Sequence, residues 1–142
     1  MVAVLRESGV LSSRQAEPWL SLVGLGEDGA AGLSREALAA LNGAEIVFGG
    51  ERHIALVGEV AGELRPWPQP FRNALPQILR ERGRKVCVLA TSDPFHYGIG
   101  NSLSRAIPPE EMRVIPQPSS FAMACTRMRW PQEECALVSL HG

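Results

Sequence analysis

Short apolar runs alternate along this chain with segments of helical spacing. "WLSLVGLG" (19–26) is apolar and bounded by glycine, which predicts a buried first strand. Ser34 then stands where a helix can be capped, with Leu33, Ala37, Leu38 and Leu41 on one face and Asn42-Gly43 as the stop. "AEIVFGG" predicts a second strand, and "ERHIALVGEVAG" a short helix. "ELRPWPQP" is too proline-rich for a central strand, so at most its first residues pair at an edge. Phe71, Leu75, Ile78 and Leu79 form the apolar face of a helix that Gly83 ends. "KVCVLAT" is apolar throughout, as in a parallel sheet covered on both faces. A helix over 101–106, a strand in "EMRVIPQP", a helix capped by Ser119 and a last strand at "CALVSL" complete the pattern. Strands alternating with helices predict an α/β fold with a mainly parallel sheet.

Composition narrows the class. A chain of 142 residues with 45% apolar content is about one foldable domain. Fourteen basic and fifteen acidic residues leave a net charge of −1, which gives no support to a nucleic-acid surface. No apolar stretch approaches the ~20 residues of a membrane span. Cys87, Cys125 and Cys135 match no zinc spacing and suggest a reducing, cytoplasmic setting, with Cys87 a small buried hydrophobe. Residues 1–18 read as a loose leader, not a secretion signal.

Three loops leave strands at the carboxyl edge of the predicted sheet, where α/β proteins bind ligands. The first, Gly24-Leu25-Gly26-Glu27-Asp28-Gly29, spells G-x-G-x-x-G, with Glu51 beyond the second strand. That is the dinucleotide fingerprint by letter, but the periodic helix opens only at Ser34, too late to aim its N-terminus at a pyrophosphate. A nucleotide- or dinucleotide-binding module is the alternative function, and a non-catalytic assembly domain a third. In the second loop, Pro94 biases Asp93 to an extended shape at the strand end. Its carboxylate either caps nearby N–H groups in an Asx-turn or faces a cation or hydroxyl groups of a ligand. His96 is either packed among aromatics or part of the site, and Gly98 and Gly100 permit close approach or a turn. The third loop, "PQPSSFAMAC", brings Ser119, Ser120 and Phe121 to a helix start.

Taken together, "VGLGEDGAAGLSREAL", "VFGGERH", "ATSDPFHYGIG", "IPQPSSFAMACTRMRWP" and "LVSLHG" resemble, in order and spacing, the tetrapyrrole methylases. These are S-adenosylmethionine-dependent enzymes of cobalamin and sirohaem synthesis. "GGERH" and "SLHG" point to the branch that methylates a precorrin at C5, or at C5 and C15. The resemblance departs at two positions: Glu27 stands where proline is common, and Ser92 where glycine usually precedes Asp93-Pro94.

The resemblance implies the N-terminal α/β domain of a two-domain fold, with adenosylmethionine held in the cleft between domains and no metal. Carried onto this chain, cofactor contacts fall at Gly24, Gly26, Glu27 (by backbone), Asp93, the turn at His96, Ser120 and Phe121. Arg35, Arg52, Arg72 and Arg105 are candidates for the carboxylates of a precorrin substrate, or plain surface residues. A homodimer is implied, and no catalytic base is identified. Residues 19–133 would form the first domain and 134–142 the first strand of a second. A chain of this length would then be a fragment, inactive in methyl transfer by itself.

Overall fold

The computed structural model describes residues 17–140. Most of the expected leader, and the end of the expected last strand at 141–142, lie outside the described residues. Five strands form one parallel sheet: β1 (Leu20–Leu25), β2 (Ile46–Gly49), β3 (Glu63–Pro66), β4 (Val86–Thr91) and β5 (Met112–Ile115), in the order β3-β2-β4-β1-β5. Between and after them run α1 (Arg35–Asn42), α2 (Glu51–Val57), α3 (Ala74–Arg80), α4 (Gly100–Leu103) and α5 (Ser120–Met128).

Strand side chains alternate between two apolar layers, which is why the central strands read as unbroken hydrophobic runs. Val23, Leu25, Val47, Cys87 and Leu89 pack with Leu33, Ala37 and Leu41 around α1 and with Val57 of α2. Leu20, Leu22, Ile46, Phe48, Val86, Val88 and Ala90 pack on the opposite face with Ile78 of α3 and Leu103 of α4. The proline-rich segment is an edge strand, as its composition requires. Ser34 and Ser119 cap their helices by accepting from the Ala37 and Ala122 amides, both at 3.1 Å. Arg129, left-handed at φ 59, closes α5 just before Pro131.

Three expectations change. Phe71 is 50% exposed in a single 3-10 turn ahead of α3; its edge meets Trp67 instead of the core. The helix expected over 101–106 is the one-turn α4, starting at Gly100, because the chain turns at 104–107 to bury Ile107. Residues 136–140 join no strand ladder among the described residues: they have no strand beside them, and Val138 and Leu140 stand 68% and 96% exposed.

Topology fixes where a ligand can sit. From β1 the chain moves outward through β2 to β3, then returns through β4 and leaves on the other side to β5. The direction reverses between β1 and β4: the chain passes β4 on its way from β1 to β2 and passes β1 on its way from β4 to β5, so the loops after these two strands meet at the carboxyl edge of the sheet, where α/β proteins hold ligands.

Candidate functional site

β4 ends at Thr91, and the loop that follows is compact. Ser92 and Tyr97 take left-handed backbone (φ 50 and 56) on either side of Asp93-Pro94-Phe95-His96. Asp93 Oδ1 accepts from the Phe95 amide at 2.9 Å, the Asx-turn that the sequence allows. This side chain also lines the adjoining cavity. The Pro94 carbonyl accepts from the Gly100 amide at 2.9 Å, and a Cβ at Gly98 or Gly100 would stand 2.3 or 2.6 Å from that oxygen. Both glycines are therefore needed for the loop to fold onto itself. Asn101 Nδ2 donates to the Phe95 carbonyl, closing the loop from the side of α4.

A cavity of about 490 Å³ opens over this loop. Asp93, His96, Ser120 and Phe121 all line it, joined by His53 and Thr91. Aromatic rings make up much of the wall. His96 lies 5.0 Å from both Tyr97 and Phe121, ring centre to ring centre, and Trp67 meets Phe71 at 5.5 Å. Among the described residues His96 Nε2 is a buried side-chain nitrogen without a hydrogen-bond partner. Leaving such a group unmatched costs about 1–3 kcal/mol.

The glycine loop after β1 contributes differently from the reading of its letters. Gly24, Gly26 and Glu27 are not in the cavity wall. Gly24 lies beneath it: a Cβ there would meet the Ser92 carbonyl oxygen at 1.8 Å and the Gln117 nitrogen at 2.7 Å. The Gln117 amide donates to that Ser92 carbonyl at 3.0 Å, and the Ser92 amide donates to the Leu25 carbonyl at 2.9 Å. All three loops are thus tied together through backbone, with Gly24 at the crossing. At Gly26, and more severely at Gly32, a Cβ would run into the Asp28 carboxylate. Arg52 pairs with the Glu27 carboxylate and holds it below its usual range. The glycines open a 3-10 turn over Gly29–Gly32, and α1 starts only at Arg35. The helix start that a pyrophosphate needs is therefore not formed by this loop.

Sequence reasoning did not single out His53 or Thr91. His53 Nδ1 accepts from the Gly50 amide at 3.3 Å and its Nε2 lies 2.9 Å from Thr91 Oγ1. Burial, with the Arg52 charge adding to it, pushes the imidazole pKa down. The available signal was a histidine two residues after "GGE", in the third position of a helix, where it can reach back to the amide before it. None of Arg35, Arg52, Arg72 and Arg105 lines the cavity. No His, Cys, Asp and Glu cluster able to hold a metal occurs among the described residues, and no helix among them is long and apolar enough to cross a membrane.

Comparison with known proteins identifies the family and the fold. The chain is 42% identical over 126 residues to a precorrin-6Y C(5,15)-methyltransferase [decarboxylating] of Sinorhizobium sp, covering 88% of this chain and 30% of that protein. It is 32% identical over 123 residues to the cobalt-precorrin-7 C(5)-methyltransferase of Salmonella typhimurium, covering 87% of this chain and 61% of the relative. The crystal structure of a cobalamin-biosynthesis precorrin-6Y methylase from Archaeoglobus fulgidus superposes with a TM-score of 0.70 at 26% identity, over 84% of this chain and 63% of that one. The chain therefore spans from under a third to under two thirds of the length of these relatives. Residues 20–142 match the family described as Tetrapyrrole (Corrin/Porphyrin) Methylases, and with that match over most of its length the chain belongs to the tetrapyrrole methylases.

Proposed function

We propose that this chain carries the cofactor-binding part of an S-adenosylmethionine-dependent methyltransferase that acts on a precorrin ring carbon, C5 or both C5 and C15, in cobalamin biosynthesis. One observation carries the reading: Asp93 and His96 from the loop after β4, and Ser120 and Phe121 from the start of α5 after β5, line a single cavity. The names of the relatives supply the substrate class.

The residues present suit the cofactor. Its adenine needs a flat apolar surface, which the rings of Tyr97, Phe121 and Trp67 provide. Its ribose diol or sulfonium needs an acceptor, and Asp93 keeps Oδ2 for that purpose while Oδ1 is held by the Phe95 amide. The His96 ring, 5.0 Å from those of Tyr97 and Phe121, adds to the same wall. When bound, adenosylmethionine supplies a methyl group activated by its positive sulfur. The residues of this chain bind, orient and keep water away from the reacting centre; positioning and desolvation of this kind supply much of the acceleration in group transfer. The nucleophilic carbon belongs to the tetrapyrrole. Methyl transfer is assigned to the protein as a whole, with residues 134–142 leading into a second domain. A homodimer and a cytoplasmic location complete the reading.

Calorimetric titration tests it. Adenosylhomocysteine is expected to bind and NAD is not, and Asp93→Ala is expected to weaken the adenosylhomocysteine response at least about tenfold. A response to NAD without one to adenosylhomocysteine would replace this reading with that of a dinucleotide-binding module.

A further inference from the structure

We propose that His53 is a positioning residue of the cavity: it holds the Thr91 hydroxyl as a hydrogen-bond donor toward the bound cofactor. The inference rests on the cofactor reading above and names a residue pair for it.

The hydrogen-bond pattern leaves one arrangement of protons. Gly50 N lies 3.3 Å from His53 Nδ1, and a backbone amide can only donate. Nδ1 is therefore the acceptor, and the neutral ring carries its proton on Nε2. That Nε2–H faces Thr91 Oγ1 at 2.9 Å and donates to it. With its oxygen accepting from the imidazole, the Thr91 hydroxyl has its own proton left to give. Thr91 is the last residue of β4, is exposed, and lines the cavity beside Asp93. The wall thus offers a fixed donor next to a fixed acceptor.

The ring is seated by its surroundings. A Cβ at Gly49 would stand 3.3 Å from both His53 Cβ and Leu89 Cβ, so glycine at that position lets the start of α2 lie close against β4. Protonating the ring would place a second N–H at Nδ1, opposite the Gly50 N–H, and break the arrangement. The charged and titratable groups near the ring are Arg52 on its own helix, which is paired with Glu27, and Asp93 and His96, which share the cavity wall with it. Arg52 opposes a positive imidazole, and so does burial. Ligand affinity should consequently fall with acid when the imidazole takes up its second proton.

The test uses the full chain and adenosylhomocysteine as probe. Long-range ¹⁵N–¹H NMR of the ligand-free protein should find the His53 proton on Nε2. Thr91→Val should weaken binding about tenfold and Thr91→Ser less than about threefold, with unchanged circular dichroism. His53→Leu should weaken it to a similar degree, and the double variant His53→Leu/Thr91→Val no further, because both remove one interaction. His53→Gln, whose amide can accept from Gly50 and donate to Thr91, should retain most of the affinity and lose the acid decline, while His96→Asn should keep that decline. Thr91→Val binding as tightly as the parent, or a proton found on Nδ1, would overturn the proposal and leave the cofactor reading standing. Failure of the unaltered protein to bind adenosylhomocysteine would overturn both.

Discussion

Replacing Gly24 with alanine should be severely damaging, although Gly24 does not itself line the cavity. The added carbon would lie 1.8 Å from the Ser92 carbonyl oxygen and 2.7 Å from the Gln117 nitrogen, far inside contact distance. Both obstacles are backbone, so no side chain can swing away. Relief requires moving the loop after β4, the loop after β5, or both. Forcing a methyl into a packed site costs about 1–3 kcal/mol. Separating the Gln117 amide from the Ser92 carbonyl, now bonded at 3.0 Å, strands a donor and an acceptor at a further cost of about 1–3 kcal/mol. The sum, about 2–6 kcal/mol, is a large share of the roughly 5–15 kcal/mol that holds a domain together. Urea unfolding followed by tryptophan fluorescence measures it. Gly50→Ala is the control: its nearest contacts are ordinary at 3.5 Å and beyond, and alanine in place of glycine at a helix cap costs about 1 kcal/mol or less. If Gly24→Ala costs under about 1 kcal/mol, the three loops are not joined as described. Adenosylhomocysteine affinity should fall in the same variant, because Asp93 and Ser120 ride on the displaced loops.

Other outcomes follow from the same structure. Ser119→Ala should cost about 1 kcal/mol by uncapping α5 and should also weaken adenosylhomocysteine binding, whereas Ser34→Ala should cost a similar amount and leave binding unchanged. Arg52 and Arg65 hold the carboxylates of Glu27, Glu63 and Glu81 below the ordinary value of 4.5, while the Lys85 amide does so first at Glu45 and the Trp19 ring N–H first at Glu111, with Arg84 and Arg82 adding to them. Each group is more acidic folded than unfolded, so its contribution is complete above pH 4.5 and is lost as pH falls through the lowered values; urea midpoints at successive pH values should decline there, and a flat profile would contradict the pairing. Burial pushes the Cys87 thiol up to about 12, so a thiol-specific reagent near neutral pH should modify Cys135 in the folded protein and reach Cys87 only at the rate of global unfolding, as mass spectrometry of a time course can show.

The sheet was legible because its strands obey simple rules. Val86 to Ala90 must be covered on both faces, and Pro66 cannot serve a central strand. Ser34 and Ser119 cap where their positions say they should. Phe71 misled because helical spacing specifies which residues share a face, not which faces are covered. The segment over 136–140 joins no ladder among the described residues, because an apolar run becomes a strand only where another strand lies beside it. His53 was missed because its role is made by a Gly50 amide and a Thr91 hydroxyl, and the latter is 38 residues away along the chain.

Small residues at a strand end let backbone come close, and at Gly24 another part of the chain lies within that reach. The two hydrogen bonds that cage Gly24, Ser92 to Leu25 and Gln117 to Ser92, also hold Ser92 at φ 50, a conformation that costs a side chain about 1–2 kcal/mol. Glycine at position 92 would remove that cost; with serine there, the backbone bonds on both sides impose the conformation. Asp93 takes its direction from the residue before it, so the carboxylate's place in the cavity depends on a glycine it never touches. Fold and site therefore share one set of bonds, and a change that loosens the crossing at Gly24 cannot spare the cavity above it.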